Sequence, residues 1–175
     1  IANLKSALTG ADVTEAFMPA VAPSGVGRNE YYGSDEEYLT AVGDALREEY
    51  LAIADAGFIL QVDDPWLTEV HSQDPSLSAA ERRKIAERSV DAINHALRGI
   101  PAEKIRFHTC YGINEGPRVH DAPLQEIVDL ILKVNAGAYA FEAANPRHEH
   151  EYHVWETAKL PAGKILIPGV ITHCS

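Results

Sequence analysis

Phe107-His108-Thr109-Cys110 sets an imidazole and a thiol two positions apart. On a β-strand alternate side chains share a face, so His108 and Cys110 are expected to point the same way. Imidazole nitrogen and thiolate sulfur are preferred ligands of zinc, which makes the pair a candidate for Zn²⁺. The competing reading is a buried cysteine beside a hydrogen-bonded histidine. Glu142 adds a carboxylate at the end of the next apolar run, Ala138-Tyr139-Ala140-Phe141. A carboxylate so placed must be paired, protonated or bound to metal. It either completes a His/Cys/Glu set or pairs with a base such as Arg147. Asp63 and Asp64 close the strand before His108. Such a pair can act as general acid and base or bind a substrate ammonium, or one member can cap the turn at Pro65. Neighbours on a strand face opposite ways, so only one of them points at a shared site.

A second polar run, Arg147-His148-Glu149-His150-Glu151-Tyr152-His153, is a second possible metal cluster through His148, His150 and His153. A solvated segment is its plainer reading. Its best functional one is binding of a substrate anion by Arg147 or a histidine. His173 and Cys174 follow the last apolar run, and His173 is a possible catalytic residue. A Cys110–Cys174 disulfide is not expected, because the strand of Glu142 separates theirs and a bridge needs Cα atoms within about 7 Å.

These residues need elements to position them, and apolar periodicity supplies candidates. Residues 17–22, 58–62, 105–110, 138–142 and 165–171 read as strands. Ser34 with Glu37 and Ser78 with Glu81 have capping-box spacing. The first box opens a helix to about Ala56, with Tyr38, Val42, Leu46, Tyr50 and Ile53 on one face. The second opens one with Ile85, Val90, Ile93 and Leu97 inward. Residues 124–136 form a third helix, with Leu124, Ile127, Val128, Ile131 and Leu132 buried, and 155–160 a short fourth. Strands alternating with helices indicate an α/β fold with parallel crossovers. The candidates are an open doubly wound sheet and a (β/α)8 TIM barrel. No glycine-rich phosphate fingerprint follows any strand, and the polar residues cluster at strand C-terminal ends, as barrel sites do. A whole barrel takes about 250 residues, so about five β/α units form an incomplete one, with about three strands expected outside this sequence.

The bulk numbers narrow the function classes. The chain has 175 residues, 46% hydrophobic and 7% aromatic, ordinary for a globular domain. Lys and Arg number 15 against 26 Asp and Glu, a formal charge of -11, which disfavours nucleic acid and anionic membrane as partners. No apolar run approaches the roughly 20 residues of a membrane-spanning helix. The N-terminal residues do not read as a signal peptide, and the chain is expected to start inside a longer protein. Two cysteines make no disulfide framework, so a reducing, cytoplasmic setting is expected.

Three motifs in order carry a resemblance. Gln61-Val62-Asp63-Asp64-Pro65, His108-Thr109-Cys110 and Phe141-Glu142 resemble the Q-I-D-E-P strand, the H-x-C strand and the Glu-ending strand of cobalamin-independent methionine synthases. The chain looks closer to short, single-barrel relatives, which residues 143–151 and 166–170 also resemble. The resemblance implies that all 175 residues are the central part of one such barrel, its first strands and its last lying outside. It implies three zinc ligands, His108, Cys110 and Glu142, and an aspartate, Asp63, that binds the amino group of homocysteine. The family's fourth ligand is a cysteine on a strand after this chain stops. Thr172-His173-Cys174-Ser175 replaces its D-x-H-S, and a longer gap from Cys110 to Glu142 implies a different substrate lid.

The implied activity is methyl or alkyl transfer to a thiol that zinc activates as thiolate. The implied partners are a small-molecule thiol and an alkyl donor: homocysteine and a methyltetrahydrofolate in the synthases, coenzyme M and epoxides in other relatives. A zinc hydrolase would want His and Asp ligands without Cys110. A metal-free barrel decarboxylase would use Arg147 for a carboxylate and leave the H-x-C without purpose. An inactive, interacting fragment is the remaining alternative. The sequence leaves the oligomeric state open.

Overall fold

The computed structural model describes residues 1–74, 76–112 and 120–172, with residues 71–73 described by backbone alone. Helix α1 (Ala2–Ala7) precedes strand β1 (Phe17–Val21). Helix α2 (Asp35–Asp55) leads to strand β2 (Ile59–Asp63), and helices α3 (Trp66–Gln73) and α4 (Ala79–Leu97) to strand β3 (Ile105–Thr109). Helix α5 (Leu124–Ile131), strand β4 (Ala138–Glu142), helix α6 (Tyr152–Thr157) and strand β5 (Ile165–Gly169) follow. The five strands form one all-parallel sheet in the order β1-β2-β3-β4-β5. The fold is α/β, as the alternation predicts.

Sequential order has a geometric consequence. Right-handed crossovers that never reverse direction put every intervening helix on the same side of the sheet. The hydrophobic core reflects this. Its strand members, Ala20, Leu60, Val62, Ile105, Phe107 and Tyr139, share one face by register. Against them pack Tyr50 and Ile53 of α2, Leu67 of α3, Ile93 and Leu97 of α4, and Leu130 of α5. Each side chain so buried contributes about 1.5–3 kcal/mol of transfer free energy. The opposite face carries Val21, Asp63, Arg106, His108 and Glu142, none of which joins the core cluster. This second face is the one left partly open.

Local chemistry explains the element ends. Ser78 and Glu81 close a full capping box: Ser78 Oγ accepts the Glu81 amide at 3.3 Å and Glu81 Oε2 accepts the Ser78 amide at 2.8 Å. At α2 the Ser34 hydroxyl accepts the Glu37 amide at 3.1 Å, but Glu37 Oε2 takes the amide of Gly33. Gly137 admits the chain into β4 at close quarters, because a Cβ there would lie 2.6 Å from the carbonyl oxygen of Ala102.

Several boundaries differ from expectation. Helix α3 is an addition: Asp63-Asp64-Pro65 reads as a turn, yet Asp64 Oδ1 accepts the amides of Trp66 at 3.1 Å and Leu67 at 3.2 Å and so starts a helix. Helix α5 stops at Ile131 rather than 136, because the Asn94 side chain takes the Lys133 carbonyl and the Asn135 amide. Leu130 is buried on it, while Val128 and Leu132 sit at the margin of the core. Helix α6 lies three residues earlier than 155–160, over Tyr152–Thr157. Among the described residues no helix is long and apolar enough to cross a membrane.

Candidate functional site

The strand register assembles the candidate donors on the open face. Asp63 stands opposite His108, Thr109 opposite Phe141, and Glu142 opposite Gly169. Cys110 directly follows Thr109 and continues that register toward Glu142. By alternation, Asp63, His108, Cys110 and Glu142 therefore occupy the same side of the sheet at the C-terminal ends of three neighbouring strands.

Asp63 and His108 are joined. Asp63 Oδ1 lies 2.9 Å from His108 Nδ1 and also accepts the Gln61 side-chain amide at 2.7 Å. A carboxylate at Nδ1 draws the proton there and leaves Nε2 as the nitrogen with a free lone pair. The His108 and Asp63 side chains are 31% and 36% exposed, so a ligand can reach the pair.

Cys110 is a free, half-buried cysteine. Burial pushes its thiol up, and the Glu142, Asp63 and Glu69 carboxylates reinforce that against the Gly112 amide. The thiol is a poor nucleophile in such surroundings and a better candidate for a positive partner. Its carbonyl is within reach of the hydroxyl of Thr68, a buried α3 residue that also meets the Pro65 carbonyl at 2.8 Å. The unexpected helix therefore anchors the end of β3.

Glu142 is held on one oxygen only. Its Oε1 accepts the Asn145 side-chain amide at 3.0 Å, while Oε2 is shielded from solvent without a hydrogen-bond partner. Asn145 is wholly buried, and its Oδ1 accepts the Arg147 amide at 3.0 Å. The Arg147 guanidinium is likewise incomplete, with Nε and Nη2 shielded and without an acceptor. Buried polar atoms of this kind call for a partner.

Asp64 is placed differently from Asp63. It is wholly buried, caps α3 through Oδ1, and its carboxyl is pushed up to about 6 by burial, against the pull of the Leu67 and Trp66 amides. The carboxylate open to a ligand is that of Asp63. His148 is nearly buried between Asp121 and Glu151, whereas His153 is exposed and pairs with Glu156 at 2.9 Å. His173 and Cys174 lie outside the described residues.

Among the described residues no three His, Cys, Asp or Glu side chains stand together closely enough to hold a metal ion as they lie. The donor types nonetheless fit one. An imidazole with its Nδ1 already oriented by a carboxylate, a free thiol and a carboxylate with an unpartnered buried oxygen are zinc-ligating groups, and the Asp63 contact is of the kind that orients a ligating histidine. Two positions, Gln61 and Asn145, escape sequence reasoning. An amide three residues past Glu142 and next to Pro146 reads only as a turn former. No protein-family model and no curated protein matches the chain.

Proposed function

We propose that this chain is part of a zinc-dependent alkyltransferase that acts on a thiol, built on a (β/α)8 barrel of which the five-stranded sheet is a segment. The observation that carries the reading is the placement of His108, Cys110 and Glu142, with Asp63 on His108, on the open face at the C-terminal ends of adjacent strands. Sequential parallel order, helices on one side and an opposite face outside the core support the barrel, because a closing sheet turns that face inward.

His108, Cys110 and Glu142 would hold the zinc. When bound, the metal supplies positive charge that lowers the pKa of a thiol from about 8.5 and leaves its sulfur nucleophilic near neutral pH. Asp63 fixes the His108 tautomer and ring direction, and its partly exposed carboxylate suits the ammonium of an amino-acid thiol. Asn145 holds Glu142 through one oxygen and leaves the other for a ligand. Arg147 offers two unpartnered nitrogens to a substrate anion. In the transfer, a sulfur–carbon bond forms as the donor's bond to that carbon breaks, the electron pair leaving with the donor and the thiol proton passing to solvent. A cytoplasmic setting and small-molecule partners belong to this reading.

A second reading, a metal-free barrel decarboxylase, draws on the two unpartnered guanidinium nitrogens of Arg147, Nε and Nη2, as a site for a substrate carboxylate. Elemental analysis of the full-length protein separates the two. About one zinc per folded chain, lost in Cys110→Ser, is expected. Folded wild type without zinc overturns the alkyltransferase and leaves the decarboxylase.

A further inference from the structure

His148 lies between two carboxylates that belong to different segments. Its Nε2 is 2.9 Å from Asp121 Oδ2 and its Nδ1 is 2.8 Å from Glu151 Oε2. The three side chains are 9%, 8% and 12% exposed. Tyr111 lies flat on the imidazole, with centroids 3.5 Å apart and planes 3° from parallel. The Tyr111 hydroxyl is 3.2 Å from the Ala122 carbonyl and 3.3 Å from Glu151 Oε2. Glu151 Oε1 accepts the amide of Leu124, the first residue of α5, at 2.8 Å. One ring thus joins the segment leaving β3, the approach to α5 and the segment leaving β4.

Proton counting decides the state of that ring. A neutral imidazole has one donor and one acceptor nitrogen, so between two carboxylates it turns a lone pair toward one of them. The imidazolium donates to both. Burial opposes the charge, but the bonds and charges of Glu151 and Asp121 outweigh it and hold the His148 pKa above its ordinary value. Burial also opposes ionisation of Glu151, and its bonds to His148 and Leu124 hold that carboxyl below its ordinary value. Burial pushes the Tyr111 phenol up, so it faces the cation as a neutral ring.

The geometry points to His148 as a proton-operated latch: as imidazolium it pins the segment leaving β4 to the approach to α5, and loss of its proton releases the join. Among the described residues, the ionisable groups that face it are Asp121, Glu151 and Tyr111. The latch braces a functional segment, because the His148 amide donates to the Asn145 carbonyl at 2.9 Å and Asn145 holds Glu142. It does so whatever ligand the strand ends take. Because the folded pKa is raised, the contribution is complete below the ordinary histidine value of about 6.5 and is lost as pH rises through the folded value.

The test is an NMR titration of the full-length protein with ¹⁵N-labelled histidine, from about pH 6 to about pH 9, alongside hydrogen exchange of the Leu124 amide corrected for its intrinsic rate. Protons on both His148 nitrogens at the acid end are expected, with Leu124 protection falling at least roughly tenfold as the ring deprotonates. Glu151→Gln, confirmed folded by circular dichroism, is expected to lower the His148 titration point. A ring that is neutral at about pH 6.5, or Leu124 protection that stays flat across the titration, overturns the latch. Zinc content is not a readout here, so failure of the latch and failure of the metal reading remain distinguishable.

Discussion

His108 and His148 each bond a carboxylate, yet the fold surrounds them in opposite ways. His108 meets Asp63 through Nδ1 alone, on an open face with both partners about a third exposed. His148 spends both nitrogens on Asp121 and Glu151, under Tyr111 and nearly out of solvent. The first keeps a lone pair for a ligand. The second has none to give and instead ties segments together. The number of ring nitrogens the protein occupies, and the dielectric around them, separates an imidazole left open to a ligand from one committed to the fold.

Stability should expose the contrast most strongly. His148→Ala removes the ring that bonds two nearly buried carboxylates and is expected to cost about 3–5 kcal/mol in denaturant unfolding. His108→Ala removes a partly exposed pair and should cost about 1 kcal/mol or less. Equal losses at the two positions would erase the distinction. Metal affinity should reverse the order. Asp63→Asn, by loosening the tautomer and direction of His108, is expected to weaken zinc binding about 10–100-fold in competition with a chromophoric chelator, at little cost in stability. Asp121→Asn should lower stability more than Asp63→Asn and weaken zinc binding less, because it reaches Glu142 only through His148 and Asn145. The smallest effect belongs to His153, whose pair with Glu156 is 63% exposed on both sides. No change in unfolding midpoint is expected for His153→Ala, because water satisfies what the pair gives up.

Much of the scaffold is legible along the chain. Short apolar runs locate all five strands to within two residues, and Ser34 and Ser78 mark the starts of the two long helices through chemistry confined to one turn. Failures occur where a distant group decides. Asn94 of α4 ends α5 ahead of its own apolar pattern. The α3 start hides in Asp64, whose cap is local but looks the same as a turn before Pro65. The site divides in the same way. Alternation puts His108 and Cys110 on one face and allows only one of Asp63 and Asp64 to join them, but register and burial choose Asp63.

The sequence by itself determined which residues repeat along strands, where helices can start and which side chains are of a donor type able to ligate a metal, because these depend on residue identity and on contacts a few residues long. Only the tertiary structure decided which face the helices cover, that Glu142 keeps one unpartnered oxygen, and that His148 bonds a carboxylate 27 residues away at Asp121. Those outcomes rest on desolvation and on pairings across the sheet and its loops, and neither exists until the chain has closed around them.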